Sequence, residues 1–309
     1  MSNTPELSIV LVSYNTAKLI TTALESVYDQ TKITSFEIIV VDNASQDDSL
    51  KVIAAQFPQV KLIDSGANLG FAGGVQMGVK HSQGKYLLLL NPDTKILEGA
   101  IDKLMAFAKQ QPNNGIWSGV TLNNDLSLNT QHAWSKPSIS NLLFSATGLS
   151  KVFSATCLFN QANYGCWKRD SVKTVDIVSG CFFLTTRELW DDIGGLDAQF
   201  FMYAEEADFC LKAAQLGYQP IVTPNARIIH HGGASHARFS GKMIKLMKGK
   251  IELTYRHVQG WQQPLHKGLL FLYVWNKYVM HRLLKPNSEA TREWQTVYEQ
   301  RADWMRGYR

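Results

Sequence analysis

The chain opens on a nearly unbroken apolar run, Leu7-Ser8-Ile9-Val10-Leu11-Val12-Ser13. Similar runs return at Phe36 to Val41, Val60 to Ile63 and Tyr86 to Leu90. Short runs without alternation predict strands covered on both faces, as in a parallel sheet. Between them, apolar residues recur at helical spacing: Leu19, Ile20, Ala23, Leu24, Val27 and Tyr28 in one segment, Leu50, Ile53 and Ala54 in the next. Asp47 or Ser49 suits the start of that second helix. A glycine-rich turn, 68–74, leads to a helix expected over 74–82, and a further helix is expected over 96–110. Strands and helices alternate, and polar residues gather just after the strands. That order predicts an open α/β sheet whose ligands sit at its carboxyl edge.

Residues 121–174 break the rhythm, with Asn123-Asn124, Lys136-Pro137 and Asn163-Tyr164-Gly165 among scattered aromatics. They read as an insertion shaping an acceptor or lid region, or as a neutral excursion. Regular pattern resumes with a strand over 175–185, helices over 187–193 and 204–216, and short strands at 221–222 and 228–229. Beyond Ser235 the chain is basic and helical to about Leu284, and Pro286 precedes a last helical tail with Trp294, Tyr298 and Trp304. The expected division is 1–235, carrying the insertion, and 236–309.

The 309 residues are 45% hydrophobic and 18% charged, which argues for a sizeable core and against a disordered chain. The net charge of +5 is uneven. Residues 227–309 carry fifteen Lys/Arg against five Asp/Glu, leaving the rest net acidic. A basic tail draws an anionic surface or a charged acceptor, or is simply solvated helix surface. Lys242, Lys245, Lys248 and Lys250 beside Ile244, Leu246, Met247 and Ile251 make a candidate contact with anionic membrane. A helix pair burying Trp261, Phe271 and Trp275, or a homodimer contact, is the alternative. No recognition motif accompanies the charge, so nucleic acid is not expected as a partner. The four cysteines lack close Cys-x2-Cys pairs, and a disulfide framework is not expected, although Cys157 and Cys166 are free to pair. There is no signal-peptide pattern, and no apolar run reaches the ~18 residues of a spanning helix. A cytoplasmic protein is expected, one that can meet a membrane from that side.

Five constellations carry candidate chemistry. Asp42 ends a strand, where a carboxylate can accept a base N–H or a ribose hydroxyl, with Ser13 and Asn15 at the neighbouring strand end. Asp42-Asn43 also suits a plain turn cap. Asn68-Leu69-Gly70-Phe71-Ala72-Gly73-Gly74 has neither P-loop nor Rossmann spacing, but its glycines permit close passage beside a nucleotide sugar. Asn91-Pro92-Asp93 follows a buried strand, and a carboxylate there can hold a divalent ion against phosphate oxygens. Glu205, Glu206 and Asp208 open a helix, with 205 and 208 on one face and 206 turned elsewhere. One acid there can be structural while another serves as the base for a sugar hydroxyl. His230-His231-Gly232-Gly233 adds imidazole, a ligand for Mn²⁺-like ions. Alternation along a strand points at most one of the two rings into a site.

In order, these segments resemble the inverting family 2 glycosyltransferases of GT-A fold. They are most similar to the bacterial rhamnosyltransferase-like enzymes of surface-polysaccharide assembly. The resemblance spans about 7–235 and rests on Val10-Leu11-Val12-Ser13-Tyr14-Asn15, Val41-Asp42-Asn43-Ala44-Ser45, the 68–74 segment, Asn91-Pro92-Asp93, Val178-Ser179-Gly180, Gly194-Gly195-Leu196-Asp197, Phe201-Met202-Tyr203-Ala204-Glu205-Glu206-Ala207-Asp208 and His230-His231-Gly232-Gly233-Ala234-Ser235. It implies a mixed, mostly parallel central sheet flanked by helices, with a C-terminal helical extension. It implies a nucleotide-sugar donor held by Ser13, Tyr14, Asn15, Asp42, Asn43, Asn68, Gly70, Phe71, Gly73, Asn91 and Asp93. Mn²⁺ or Mg²⁺ would bind Asp93 with His230 or His231, and Gly180, Tyr203 and Asp208 would line the acceptor side. The family usually has Glu-Asp where this chain has Glu205-Glu206, and its second acid is the base. Glu206 is therefore the implied base and Glu205 the alternative. The subgroup implies dTDP-β-L-rhamnose as donor and a glycan or polyprenyl-diphosphate-linked oligosaccharide as acceptor, at the cytoplasmic face of the inner membrane. UDP-galactose, UDP-glucose and a noncatalytic binding relative are the alternatives.

Overall fold

The computed structural model describes residues 4–232 and 238–309. The chain packs as two compact units. The first comprises the described residues of Met1–Trp134, Arg169–Phe201 and Glu205–Ser235; the second comprises those of Ser135–Lys168, Met202–Ala204 and His236–Arg309.

The first unit is built on a mixed sheet. Strands β1 (Leu7–Ser13), β2 (Phe36–Asp42), β3 (Lys61–Asp64) and β4 (Tyr86–Leu90) are parallel, in the order β3-β2-β1-β4, linked by helices α1 (Ala17–Gln30), α2 (Ser49–Gln56) and α3 (Gly70–Lys80). Every residue of β1 and β4 is buried, as continuous apolar runs require. Successive side chains of β1 take opposite faces. Leu7, Ile9 and Leu11 join Ile20, Leu24 and Val27 of α1 in the main core. Val10 and Val12 face α3.

The glycine-rich segment is helix rather than loop, and α3 starts four residues before the sequence suggests. The reason is packing. A Cβ on Gly74 would stand 2.7 Å from Val12 Cγ1, and one on Gly78 2.5 Å from Val10 Cγ1, so their absence lets the helix lie directly on β1.

Past β4 the chain turns through Asn91-Pro92-Asp93 into β5 (Thr94–Leu97), and α4 (Ala100–Gln110) begins only afterwards. Residues 96–97 are thus strand, not helix. Gly99 sits at φ 69 and separates the two elements. The sheet continues through β6 (Ile116–Leu122), while the small strands β7 (Ala133–Trp134), β8 (Lys173–Thr174) and β9 (Ile177–Val178) frame the former irregular region. The strand expected over 175–185 is split. β9 pairs with β7, the chain crosses at 179–181, and β10 (Phe182–Thr186) runs antiparallel between β4 and β6. Helices α5 and α6 belong to the second unit; α7 (Arg187–Ile193) and α8 (Glu205–Gln215) follow β10. The two short strands expected near the end are one, β11 (Ile221–His230), parallel to β6 and antiparallel to β5. Its register jumps between Val222 and Arg227, and Gly119 of β6 leaves room for the Ala226 carbonyl at that bulge.

The second unit is helical. It contains α5 (Ile139–Thr147), α6 (Leu149–Val152), α9 (Phe239–His257), α10 (Gln263–Leu284), α11 (Glu289–Glu299) and α12 (Arg301–Trp304). Met247, Ile251, Leu270, Val274, Trp294, Val297 and Trp304 form its core. The Asn276 amide donates to Ala146 O at 2.8 Å, joining α10 to α5. Cys157 and Cys166 are disulfide-bonded, with Cα atoms 5.0 Å apart. The apolar side of 244–251, expected to face a membrane, instead turns inward: Met247 and Ile251 are fully buried, and Lys248 pairs with Asp303 at 2.8 Å. Trp261 and Trp275 are the exposed ones.

Candidate active site

Ser13 and Asp42 end the neighbouring parallel strands β1 and β2 in register, and both are fully buried. One Asp42 oxygen accepts the Ser45 N–H at 2.8 Å. The other, Oδ1, is buried with no hydrogen-bond partner among the described residues. A side-chain oxygen left with an empty acceptor position at a strand end suits an N–H or O–H from a ligand. Ser13 Oγ lies 2.9 Å from Thr16 Oγ1. Tyr14 is half-buried, and Asn15 is exposed at φ 53, where its Oδ1 accepts the Gln46 N–H at 2.7 Å. Asn43 is buried and spends its amide on bracing. It donates to Gly70 O at 2.8 Å and to Asn68 Oδ1 at 3.3 Å, and accepts from Leu69 N at 3.0 Å. Gly70 is held at φ 72, and a Cβ there would run into the Phe201 carbonyl, which accepts the Phe71 N–H at 2.9 Å. Gly73 lies within the first turn of α3, its missing Cβ facing Leu69.

The second cluster forms where the turn after β4 meets the end of β11. Thr94 is in register with His230, and Asp93 O accepts the His231 N–H at 2.9 Å. The His230 ring meets the Asp93 carboxylate, Nε2 to Oδ1, at 3.3 Å, and Asn91 Nδ2 is also 3.3 Å from that nitrogen. The His231 residue is exposed. Burial works to raise the Asp93 pKa, but the His230 ring and the Gly232 N–H outweigh it and hold the carboxyl below its usual range. Burial likewise disfavours a charged His230, yet Cys181 and Asp93 overcome it and push the ring up to about 11. As it stands the ring is the protonated partner of the carboxylate, and Nε2 would serve a cation beside Oδ1 only on giving up that proton. No group of three or more metal-binding side chains occurs among the described residues. Two side chains are an incomplete set, and a divalent ion held there would need phosphate oxygens and water to complete its shell. A cavity of about 330 Å³ opens beside it, lined by Asn123, Asn124, Asp125, His230 and His231. Gly233, Ala234 and Ser235 of the same motif lie outside the described residues.

The third cluster is the start of α8. Glu205 is 4% exposed, and its Oε2 has no partner among the described residues. Burial first, and the Glu206 carboxylate second, raise its pKa well above the carboxylate norm. Glu206 is more open. A Cβ on Gly180 would come within 3.2 Å of the Phe71 ring and 3.9 Å of Glu206 Cβ, so the bare backbone of Gly180 separates the two. Asp208 is buried and ion-paired to Lys212 Nζ at 2.7 Å. Tyr203 belongs to the second unit, where Lys242 Nζ lies 6.0 Å from its ring centre. Sequence reasoning missed Cys181 and the Asn123–Asp125 turn. Neither gives a local signal, because each reaches His230 only through strand pairing.

The carboxyl edge of this sheet carries three separate acid clusters, and the model of the family described as glycosyl transferase family 2 matches residues 8–189. The chain belongs to that family. The glycosyltransferase is 25% identical over 248 residues to an N-acetylglucosaminyl-diphospho-decaprenol L-rhamnosyltransferase of Mycobacterium tuberculosis, covering 74% of this chain and 78% of that one. It is 29% identical over 213 residues to a low-salt glycan biosynthesis hexosyltransferase of Haloferax volcanii, covering 67% and 61%. In fold it matches a mannosyltransferase of Pyrobaculum calidifontis solved with GDP-mannose and Mn²⁺: TM-score 0.59, 15% identity, 99% of this chain and 86% of that one. It also matches TarS of S. aureus, at TM-score 0.52 and 15% identity, with 96% and 81% covered. The glycosyltransferase thus has the GT-A fold that its motifs imply.

Proposed function

We propose that this glycosyltransferase moves L-rhamnose, with inversion, from dTDP-β-L-rhamnose to a hydroxyl of a glycan carried on a lipid diphosphate, at the cytoplasmic face of a membrane. The observation that carries the reading is the Asp93–His230 pair at the strand edge, 3.3 Å apart. The rhamnosyl donor and lipid-linked acceptor are favoured by the mycobacterial relative's name.

In this reading Asp42 accepts from the nucleoside through its empty oxygen, and Ser13, Tyr14 and Asn15 bound the same pocket. Asn43 acts indirectly, by holding Asn68 and Gly70 in place. Phe71 and Gly180 wall the sugar. A Mn²⁺ or Mg²⁺ ion on Asp93 and His230 neutralises the diphosphate when bound. The acceptor hydroxyl attacks the anomeric carbon from the face opposite the diphosphate, so one displacement inverts that centre. Glu206 takes the hydroxyl proton as the new C–O bond forms and the nucleoside diphosphate leaves. Glu205, whose pKa burial and the Glu206 carboxylate drive up, is the acid of the pair that resists ionisation.

The test is a binding and transfer screen of the purified protein with Mn²⁺ against dTDP-L-rhamnose, dTDP-glucose, UDP-glucose, UDP-galactose and GDP-mannose, with Asp93→Ala beside the wild type. Selection of dTDP-L-rhamnose, lost in the variant, supports the proposal. Selection of another donor keeps the reaction class and overturns the sugar. Donor binding without transfer to any lipid-linked acceptor points to a noncatalytic relative.

A further inference from the structure

Helix α10 carries an apolar line on the side away from its own core. Leu265, Gly268, Leu272, Trp275, Val279 and Leu283 follow one another at three- and four-residue steps, so they fall on one stripe about 27 Å long. The buried residues of the same helix, His266, Leu269, Leu270 and Val274, take other positions on the wheel. Leu265 is 48% exposed, Trp275 41% and Leu283 73%, and Trp261 just ahead of the helix is 75% exposed. In the same unit, Val152 and Phe153 at the end of α6 are exposed as well.

The charge along this helix and its flanks has one sign. From Leu253 to Ser288 there is no Asp or Glu, but there are Arg256, Lys267, Lys277, Arg282 and Lys285. Residues 135–168 hold Lys136, Lys151 and Lys168 and no acid. Lys151 lies near enough to Lys277 to repel it. The second unit as a whole holds seventeen Lys/Arg against five Asp/Glu.

We propose that the α10 stripe docks the second unit on an anionic lipid surface, lying in the plane of the interface with its lysines and arginines at the headgroups. Exposed tryptophans and leucines beside unopposed positive charge suit that boundary. A second copy fits poorly. A two-fold contact on this face would set two acid-free stretches of α10 and two net-basic units against each other. The inference concerns a surface of the second unit and stands independently of the donor and acceptor assigned above.

The experiment is sedimentation of the full chain with vesicles of phosphatidylcholine alone or mixed with phosphatidylglycerol, at low and high salt. The wild type should bind the anionic vesicles, and salt should weaken the binding. Trp275→Glu with Leu283→Glu should lower partitioning at least ~tenfold, and Lys285→Glu should lower it less while shallowing the salt dependence. All three positions are solvent-facing, and unchanged thermal melting and unchanged donor binding check that the variants remain folded. No vesicle binding, salt-independent binding, or equal binding by the double variant overturns the proposal. So does a dimer in sedimentation equilibrium that the double variant dissociates, which would assign the stripe to a second copy.

Discussion

The corner after β4 and the start of α8 each bury a carboxylate at the working edge of the sheet, and the protein treats the two oppositely. Asp93 faces a histidine and a backbone N–H and is kept charged. Glu205 is buried beside another acid, and both effects drive its pKa up. The first arrangement suits an electrostatic post, ready to share a cation. The second leaves Glu206 beside a neighbour that burial drives toward its protonated form. Burial is common to both. What differs is the nearest partner, and partner rather than depth decides the role.

The widest effect that tests this contrast comes from the two glutamates. Glu206→Gln should lower kcat about 10³-fold with donor affinity retained, while Glu205→Gln should cost less than about tenfold. Steady-state transfer kinetics with a lipid-linked acceptor decide it, and a reversal of the two results would exchange their roles. Next is the Asp93 corner. Asp93→Asn should weaken metal-dependent donor binding about 10- to 100-fold, a loss of roughly 1.4–2.8 kcal/mol, read by titration calorimetry with and without Mn²⁺.

Stability against pH sharpens the comparison further. A raised carboxyl pKa in the folded state makes Glu205 cost nothing below its unfolded pKa and destabilise progressively as pH climbs above it. Glu205→Gln should therefore raise Tm at pH 8 and leave it nearly unchanged near pH 4.5. His132 works the other way. Burial first, with Arg169 adding to it, lowers its pKa to about 4 against the Asn129 carbonyl, so the folded protein favours the neutral ring. Stability is then fully present above 6.5 and is lost as pH falls from there toward 4, by about 2 kcal/mol at pH 5. Thermal melts of His132→Gln beside the wild type should show that acid limb flattened. The smallest effect is at Gly180, where the Cβ of Gly180→Ala presses on the Phe71 ring at 3.2 Å. A change in KM of about two- to tenfold is expected, with Tm little altered.

Much of the fold was legible because β1, β2 and β4 are continuous apolar runs and α1 repeats at helical spacing. The glycine-rich segment misled because glycine carries two meanings, freedom to turn and freedom to approach. At Gly74 and Gly78 the second applies, and only the presence of Val12 and Val10 reveals it. Residues 96–97 read as helix because an apolar pair fits either period, and their pairing with β11 is a non-local fact. The pattern of 121–174 hid α5 and α6, since α5 packs against α10 more than a hundred positions away. At the site, each acid was visible at the end of a strand or the start of a helix. The choice between His230 and His231 was not, since it depends on register, and neither was the closeness of Cys181 to His230.

The bulge in β11 gives that choice its mechanical origin. Val222 stands opposite Ser118 and Arg227 opposite Val120, so the strand gathers surplus chain at 223–226 before it reaches the histidines. Side chains on a strand change face with every step, so the parity of that surplus selects which imidazole meets Asp93. A codon gained or lost at 223–226, far from any acid in the sequence, would leave every named residue present and yet present the wrong ring. Length there is as much a part of this enzyme's specification as the identity of its carboxylates.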